Sequence, residues 1–203
     1  MSGHYIEIKG HKIFGYSRYI PFYADIVANS EDGALLVEVG SFLGQSTAAM
    51  GTFIKESGKR IDFHAVDIFE LSDFSDEPHF DAIKQHGGNF YKVFEDNLIA
   101  ADVRDYVNPV KATSLEASNQ YEDRSISFLM IDASHAYKDV VEDIEYWYPK
   151  IKMGGIISGD DYDFEEVAKA VKDTCGDNIK VYPNTTWWFR KTKDTLQEHR
   201  DVK

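Results

Sequence analysis

Four residues in two short stretches carry the strongest chemical signal: Asp132 and His135 in IDASHAY, and Asp160 and Asp161 in SGDDY. Each stretch follows an apolar run, Ile126 to Ile131 and Gly155 to Ser158, that reads as a buried strand ended by a turn. Three carboxylates gathered at the carboxyl ends of adjacent strands, with no Lys or Arg between them, would repel one another. A hard divalent cation with oxygen ligands relieves that repulsion. Asp132, Asp160 and Asp161 are therefore expected to hold magnesium or manganese. In a regular strand Asp160 and Asp161 would face opposite ways, but after Gly159 the chain can turn and bring both to one ion. His135, three residues beyond Asp132, reaches the same ion without having to ligate it. An ordinary imidazole titrates near ~6.5, and a nearby cation disfavours its charged form, so His135 is the expected general base. Singly, each of these residues has a structural explanation as a strand-end acid, a helix-start histidine or a solvated turn. All four in this register point to a site.

A second constellation lies in VEVGSFLGQST, Val37 to Thr47, where an apolar strand passes through Gly40 and Gly44 into a helix. Phe42 stands where the dinucleotide fingerprint G-x-G-x-x-G needs its second glycine, which disfavours a pyrophosphate and with it a nicotinamide-dependent oxidoreductase. What remains is E-x-G-x-x-x-G, with Glu38 two residues before Gly40. That arrangement resembles the S-adenosylmethionine-binding loop of class I methyltransferases, and a carboxylate suits a cofactor with a positive sulfonium and amino group. The resemblance assigns Glu38, Gly40, Ser41, Phe42, Gly44 and Ser46 to the cofactor. Asp67, closing the strand HAVDIF 27 residues after Gly40, would accept the ribose hydroxyls, with Ile68 beside it. Ser114 and Leu115, after a strand ending near Lys111, fall to the adenine side, and Asp132 borders both cofactor and metal.

The run IDASHAYKDVVEDIEYWYPKIKMGGIISGDDY resembles the metal-dependent O-methyltransferases of the macrocin and cephalosporin-hydroxylase-like group: D-x-x-H, an amphipathic helix, a G-G turn, then an acidic pair. The 28-residue step from Asp132 to Asp160 is also similar to catechol O-methyltransferases, which place a lysine where this chain has His135. The resemblance implies methyl transfer from S-adenosylmethionine, with a divalent metal, to a hydroxyl of a small molecule. A sugar or glycosylated natural product is the implied acceptor. A catechol-type enzyme and a non-catalytic cofactor-binding protein of the same fold are the alternatives.

These residues need a scaffold, and the pattern supplies one. Ala34 to Val39, Phe63 to Phe69, Ile126 to Ile131 and Gly155 to Ser158 read as parallel strands. Ser46 to Lys55, Asn89 to Ala101 and Tyr137 to Tyr148 read as helices between them. The alternation predicts an α/β, Rossmann-like, doubly wound and mostly parallel sheet. Ile179 to Tyr182 and Thr186 to Lys191 predict an antiparallel hairpin that closes it, with Trp187 and Trp188 as sheet and core residues. Arg18 to Asn29 reads as a leading helix within a helical lead-in (1–32), Leu71 to Gly88 as an acidic loop, and Thr192 to Lys203 as a charged tail, all in one domain spanning 1–203. Asp139, Glu142, Asp143 and Glu145 read as the solvated early face of a helix.

The 203 residues suffice for one such core, and 43% hydrophobic with 28% charged is ordinary for a globular chain. A formal charge of −13 argues against a nucleic-acid partner. No apolar run approaches a membrane span, and the first residues lack a signal-peptide pattern. With a single cysteine, Cys175, no intramolecular disulfide can form. A cytoplasmic location is expected, with a small-molecule hydroxyl acceptor as partner and a homo-oligomer left open.

Overall fold

A computed structural model describes residues 3–70, 84, 89–183 and 185–201. The expected Leu71 to Gly88 loop lies outside the described residues, apart from Lys84.

The chain opens with a hairpin where a helical lead-in was expected. Strands β1 (His4–Ile8) and β2 (His11–Gly15) pair antiparallel across Lys9 and Gly10. Those two residues take φ of 50° and 79°, the double left-handed turn whose twist matches a hairpin. Gln45 fastens this hairpin to the domain. Its side-chain amide donates to the carbonyls of His4 at 2.8 Å and Ile13 at 3.1 Å, and accepts from the Ser17 amide at 3.1 Å. Only then comes the leading helix α1 (Ile20–Asn29), which Pro21 helps to start.

From there strand and helix alternate as expected: β3 (Leu35–Val39), α2 (Gln45–Ser57), β4 (Asp62–Asp67), α3 (Tyr91–Ala100), β5 (Asn108–Lys111), α4 (Ser114–Ser118), β6 (Ile126–Ile131), α5 (Tyr137–Trp147), β7 (Ile151–Gly159) and α6 (Glu165–Cys175). Strands β8 (Lys180–Tyr182) and β9 (Thr186–Arg190) form the closing antiparallel hairpin. The seven strands are ordered β5-β4-β3-β6-β7-β9-β8, with β3 to β7 mutually parallel. Chain order reverses between β3 and β6, so the topological switch point lies at their carboxyl ends.

Alternate residues of each strand bury against opposite helix layers. Leu36, Phe63, Phe128 and Met130 pack with Tyr23 and Ile26 of α1, Met50 of α2 and Phe94 of α3. Val37, Leu129 and Ile131 pack with Ile144 and Trp147 of α5 and Val171 of α6. Trp187 is buried and Trp188 half-buried in the sheet.

Two local expectations fail. The charged tail contains a helix, α7 (Leu196–Arg200), started by a Thr195 capping box and pinned by His199, whose buried ring stacks on Phe189 with centroids 4.3 Å apart. Asp143 is not on a solvated face. It is buried, bonded to Ser114, and burial pushes its carboxyl up to about 6. Among the described residues no helix is long and apolar enough to cross a membrane.

Candidate active site

The strand register sets the acids side by side. At the switch point the ladder continues past the strand ends: the Gly40 amide donates to Val66 O at 2.9 Å, the Asp132 amide to Val39 O at 2.8 Å, and the Asp160 amide to Ile131 O at 3.1 Å. Asp132, Asp160 and Asp161 each offer one carboxylate oxygen, and the three oxygens lie within 4.8 Å of one another. The turn that brings Asp161 in is not made at Gly159, which still belongs to β7, where a side chain would strike the Trp187 ring. Asp161 itself adopts the left-handed conformation, at φ 58°.

Each carboxylate has a side-chain partner. The Tyr19 hydroxyl donates to Asp132 Oδ2 at 2.7 Å. Thr185 and Thr186 donate to Asp160 Oδ1 at 2.8 and 3.2 Å. His135 Nε2 lies 2.9 Å from Asp161 Oδ2, its ring stacked on Phe164 at 4.9 Å and 13°. No cation was expected among the gathered carboxylates, but folding brings Arg18 to 3.8 Å from Asp161 Oδ1, where it also meets Asp163. Burial, and then the charges of Asp160 and Asp161, push the Asp132 carboxyl well up; burial and then Asp161 push Asp160 up. Oxygen donors of this charge and spacing suit magnesium or manganese.

The glycine loop borders the same cleft. Gly40, Ser41, Phe42, Ser46, Asp132, His135 and Asp161 all line it, joined by Gly15, Tyr16 and Ser17 from the end of the N-terminal hairpin, and by Gln45 and Phe164. Gly40 has φ 91°, and a Cβ there would lie 1.8 Å from the Asp132 carbonyl oxygen. Its lack of a side chain therefore serves the close approach of β6. Gly44, at φ 84°, is the residue from which α2 starts.

Glu38 and Asp67 stand behind the loop and do not line the cleft. Glu38 is fully buried, accepts the Tyr23 hydroxyl at 2.7 Å and the Thr47 hydroxyl, and is pushed up by burial against those bonds. Asp67 accepts the backbone amides of Phe42 at 2.9 Å and Phe69 at 2.7 Å, which hold the loop in place; burial still pushes it up to about 6. Ile68 follows it at the strand end. Ser114 and Leu115 lie outside the cleft lining: Ser114 accepts the Trp147 indole N–H at 2.8 Å, and Leu115 is exposed at the start of α4.

Sequence reasoning missed Tyr16, Ser17, Arg18, Tyr19 and Tyr23. One signal was available, because Tyr19 and Tyr23 are one turn apart on an amphipathic helix, and buried phenols need acceptors.

The family model described as a methyltransferase domain matches residues 37–162, more than half of the chain and inclusive of both constellations. No curated protein matches it. Among solved structures, the O-methyltransferase NovP is similar at 16% identity and a TM-score of 0.66, over 86% of this chain and 79% of that one. A cofactor-bound structure of Rv0187 from MTB is similar at 14% identity and a TM-score of 0.59, over 88% and 82%. An S-adenosylmethionine-dependent O-methyltransferase from Thermotoga maritima is similar at 13% identity and a TM-score of 0.57, over 94% and 78%. Likenesses of this kind concern the fold, a parallel sheet closed by an antiparallel hairpin.

Proposed function

Because this chain belongs to the methyltransferase-domain family, we propose that it transfers the methyl group of S-adenosylmethionine to a hydroxyl of a small molecule with the help of a divalent cation. The observation that carries this reading is the meeting of two features: Gly40, Ser41, Phe42 and Ser46 line one cleft together with Asp132 and Asp161, and Asp160 completes the acid cluster with those two. NovP and the Thermotoga protein, both O-methyltransferases, share the fold.

The backbone of Gly40 and Ser41 and the side chain of Ser46 would hold the cofactor, with Glu38 and Asp67 fixing the loop from behind. A cleft rich in carboxylates favours a cofactor that carries positive charge. Asp132, Asp160 and Asp161 would hold magnesium or manganese, which when bound supplies Lewis acidity to the acceptor hydroxyl. His135 takes the hydroxyl proton, and Asp161 at 2.9 Å offsets the positive charge that the ring gains. As the acceptor oxygen bonds to the methyl carbon, the carbon–sulfur bond breaks and sulfur keeps the electron pair, leaving S-adenosylhomocysteine. Much of the rate then comes from alignment of oxygen, carbon and sulfur.

A substrate with neighbouring hydroxyls fits such a site, and we favour a sugar or glycosylated natural product. The single cysteine, buried in the core, suits a reducing compartment, so we place the protein in the cytoplasm. Incubation with methyl-labelled cofactor, magnesium and a panel of sugars and phenols tests the reading. Label should appear in at least one hydroxylated acceptor; absence of transfer to every acceptor, despite tight binding of S-adenosylhomocysteine, would favour a binding protein.

A further inference from the structure

The three acids of the cluster share a feature that the cation alone does not require. Each has one oxygen engaged by a side-chain donor from a different part of the fold. Tyr19, just before α1, holds Asp132 Oδ2. Thr185 and Thr186, at the tip and start of the closing hairpin, hold Asp160 Oδ1. His135, between β6 and α5, holds Asp161 Oδ2. Arg18 lies farther away, at 3.8 Å from the second oxygen of Asp161, and is closer to Asp163.

The consequence follows from coordination chemistry. A carboxylate with one oxygen bonded to a fixed donor presents the other oxygen alone, in a set orientation. Magnesium and manganese suit single-oxygen ligands in near-octahedral arrangement, at about 2.0–2.1 Å for magnesium, whereas calcium takes 6–8 oxygens and readily accepts both oxygens of one carboxylate. Tyr19, Thr185 and Thr186 are buried, so these donors are held by packing and not by solvent-exposed rotamers. Resting on the metal-dependent reading above, we infer that Tyr19, Thr185 and Thr186 are positioning residues. By occupying one oxygen of Asp132 and of Asp160, they restrict each acid to a single metal bond and so select a small octahedral cation over calcium. Tyr23, one turn along α1, donates to Glu38 and not to the cluster.

Manganese binding tests this directly, read from the electron paramagnetic resonance signal of the free ion, with calcium as competitor. The variants are Tyr19→Phe, the double variant Thr185→Val/Thr186→Val, and Thr185→Ser. Removal of a group that orients a ligand costs on the order of 10–100-fold in metal affinity. Tyr19→Phe and the double variant Thr185→Val/Thr186→Val, which removes both donors to Asp160 Oδ1, should lose manganese affinity by about that factor, and calcium should displace manganese from them at lower concentration than from the unaltered protein. Thr185→Ser should restore both properties, because it keeps the hydroxyl. Melting temperature in EDTA identifies any variant that has simply lost its fold, and the remaining hydroxyl variant then carries the test. If the unaltered protein does not bind manganese, the metal-dependent reading fails. If it binds and the folded variants keep its affinity and its manganese-to-calcium preference, the positioning role is overturned.

Discussion

His135 Nε2 and Asp161 Oδ2 stand 2.9 Å apart although they come from the ends of different strands, β6 and β7. The contact joins the proposed base to the proposed metal cluster. It also gives the imidazole a fixed orientation, with the Phe164 ring stacked on its face.

His135→Ala should therefore lose roughly 10²-fold to 10⁴-fold in turnover. Affinity for S-adenosylhomocysteine should change little, and steady-state kinetics with calorimetry separate the two. Turnover close to normal would make the histidine structural. A parallel loss of manganese affinity would make it a ligand.

Stability of the metal-free protein should depend on pH in a direction set by its buried acids. Asp67 and Asp143 are pushed up to about 6, and Glu38, Asp132 and Asp160 are raised as well. Groups raised in the folded state bind more protons there than when unfolded, so their contribution is complete below the unfolded value of about 4 and is lost as pH rises through the folded value, which for Asp67 and Asp143 is about 6. In EDTA the melting temperature should fall between pH 5 and pH 8. Magnesium at pH 8 should raise it by stabilising the ionised cluster. A melting temperature that rises across this range would contradict the assignment.

Gly40→Ala should damage both ligand sites at once. The new Cβ would meet the Asp132 carbonyl at 1.8 Å, at a φ of 91° that side chains avoid. Overpacking of this kind costs about 1–3 kcal/mol, and relief requires β6 to move, taking Asp132 with it. Calorimetric titrations should show weaker binding of S-adenosylhomocysteine and of manganese together. Weakening of the cofactor alone would mean that the glycine serves the ligand and not the strand.

How far the sequence could be read depended on whether a signal was local. Ile126 to Ile131 was legible to the residue because a parallel strand covered on both faces is an almost unbroken apolar run, interrupted here only by the half-buried Ser127. Asp132, His135, Asp160 and Asp161 were legible because strand ends in a parallel sheet fall on one edge. Arg18 was not, since its approach to Asp161 spans more than a hundred residues and depends on where α1 docks. The hairpin at His4 to Gly15 was overlooked because its turn is Lys9-Gly10, without the Asn-Gly or Asp-Gly that marks such turns most clearly. Ser114 looked like a cofactor contact from its place after β5, yet its hydroxyl serves Trp147 and Asp143, partners that only packing reveals.

The central claim is methyl transfer that depends on a divalent cation held by Asp132, Asp160 and Asp161. Its most direct test is the initial rate of label transfer from methyl-labelled S-adenosylmethionine to the best acceptor found. The rate is measured in EDTA-treated protein, after magnesium is restored, and with Asp160→Asn under both conditions. The account predicts no transfer in EDTA, recovery with magnesium, and little recovery in the variant. Full transfer by thoroughly chelated protein would contradict it.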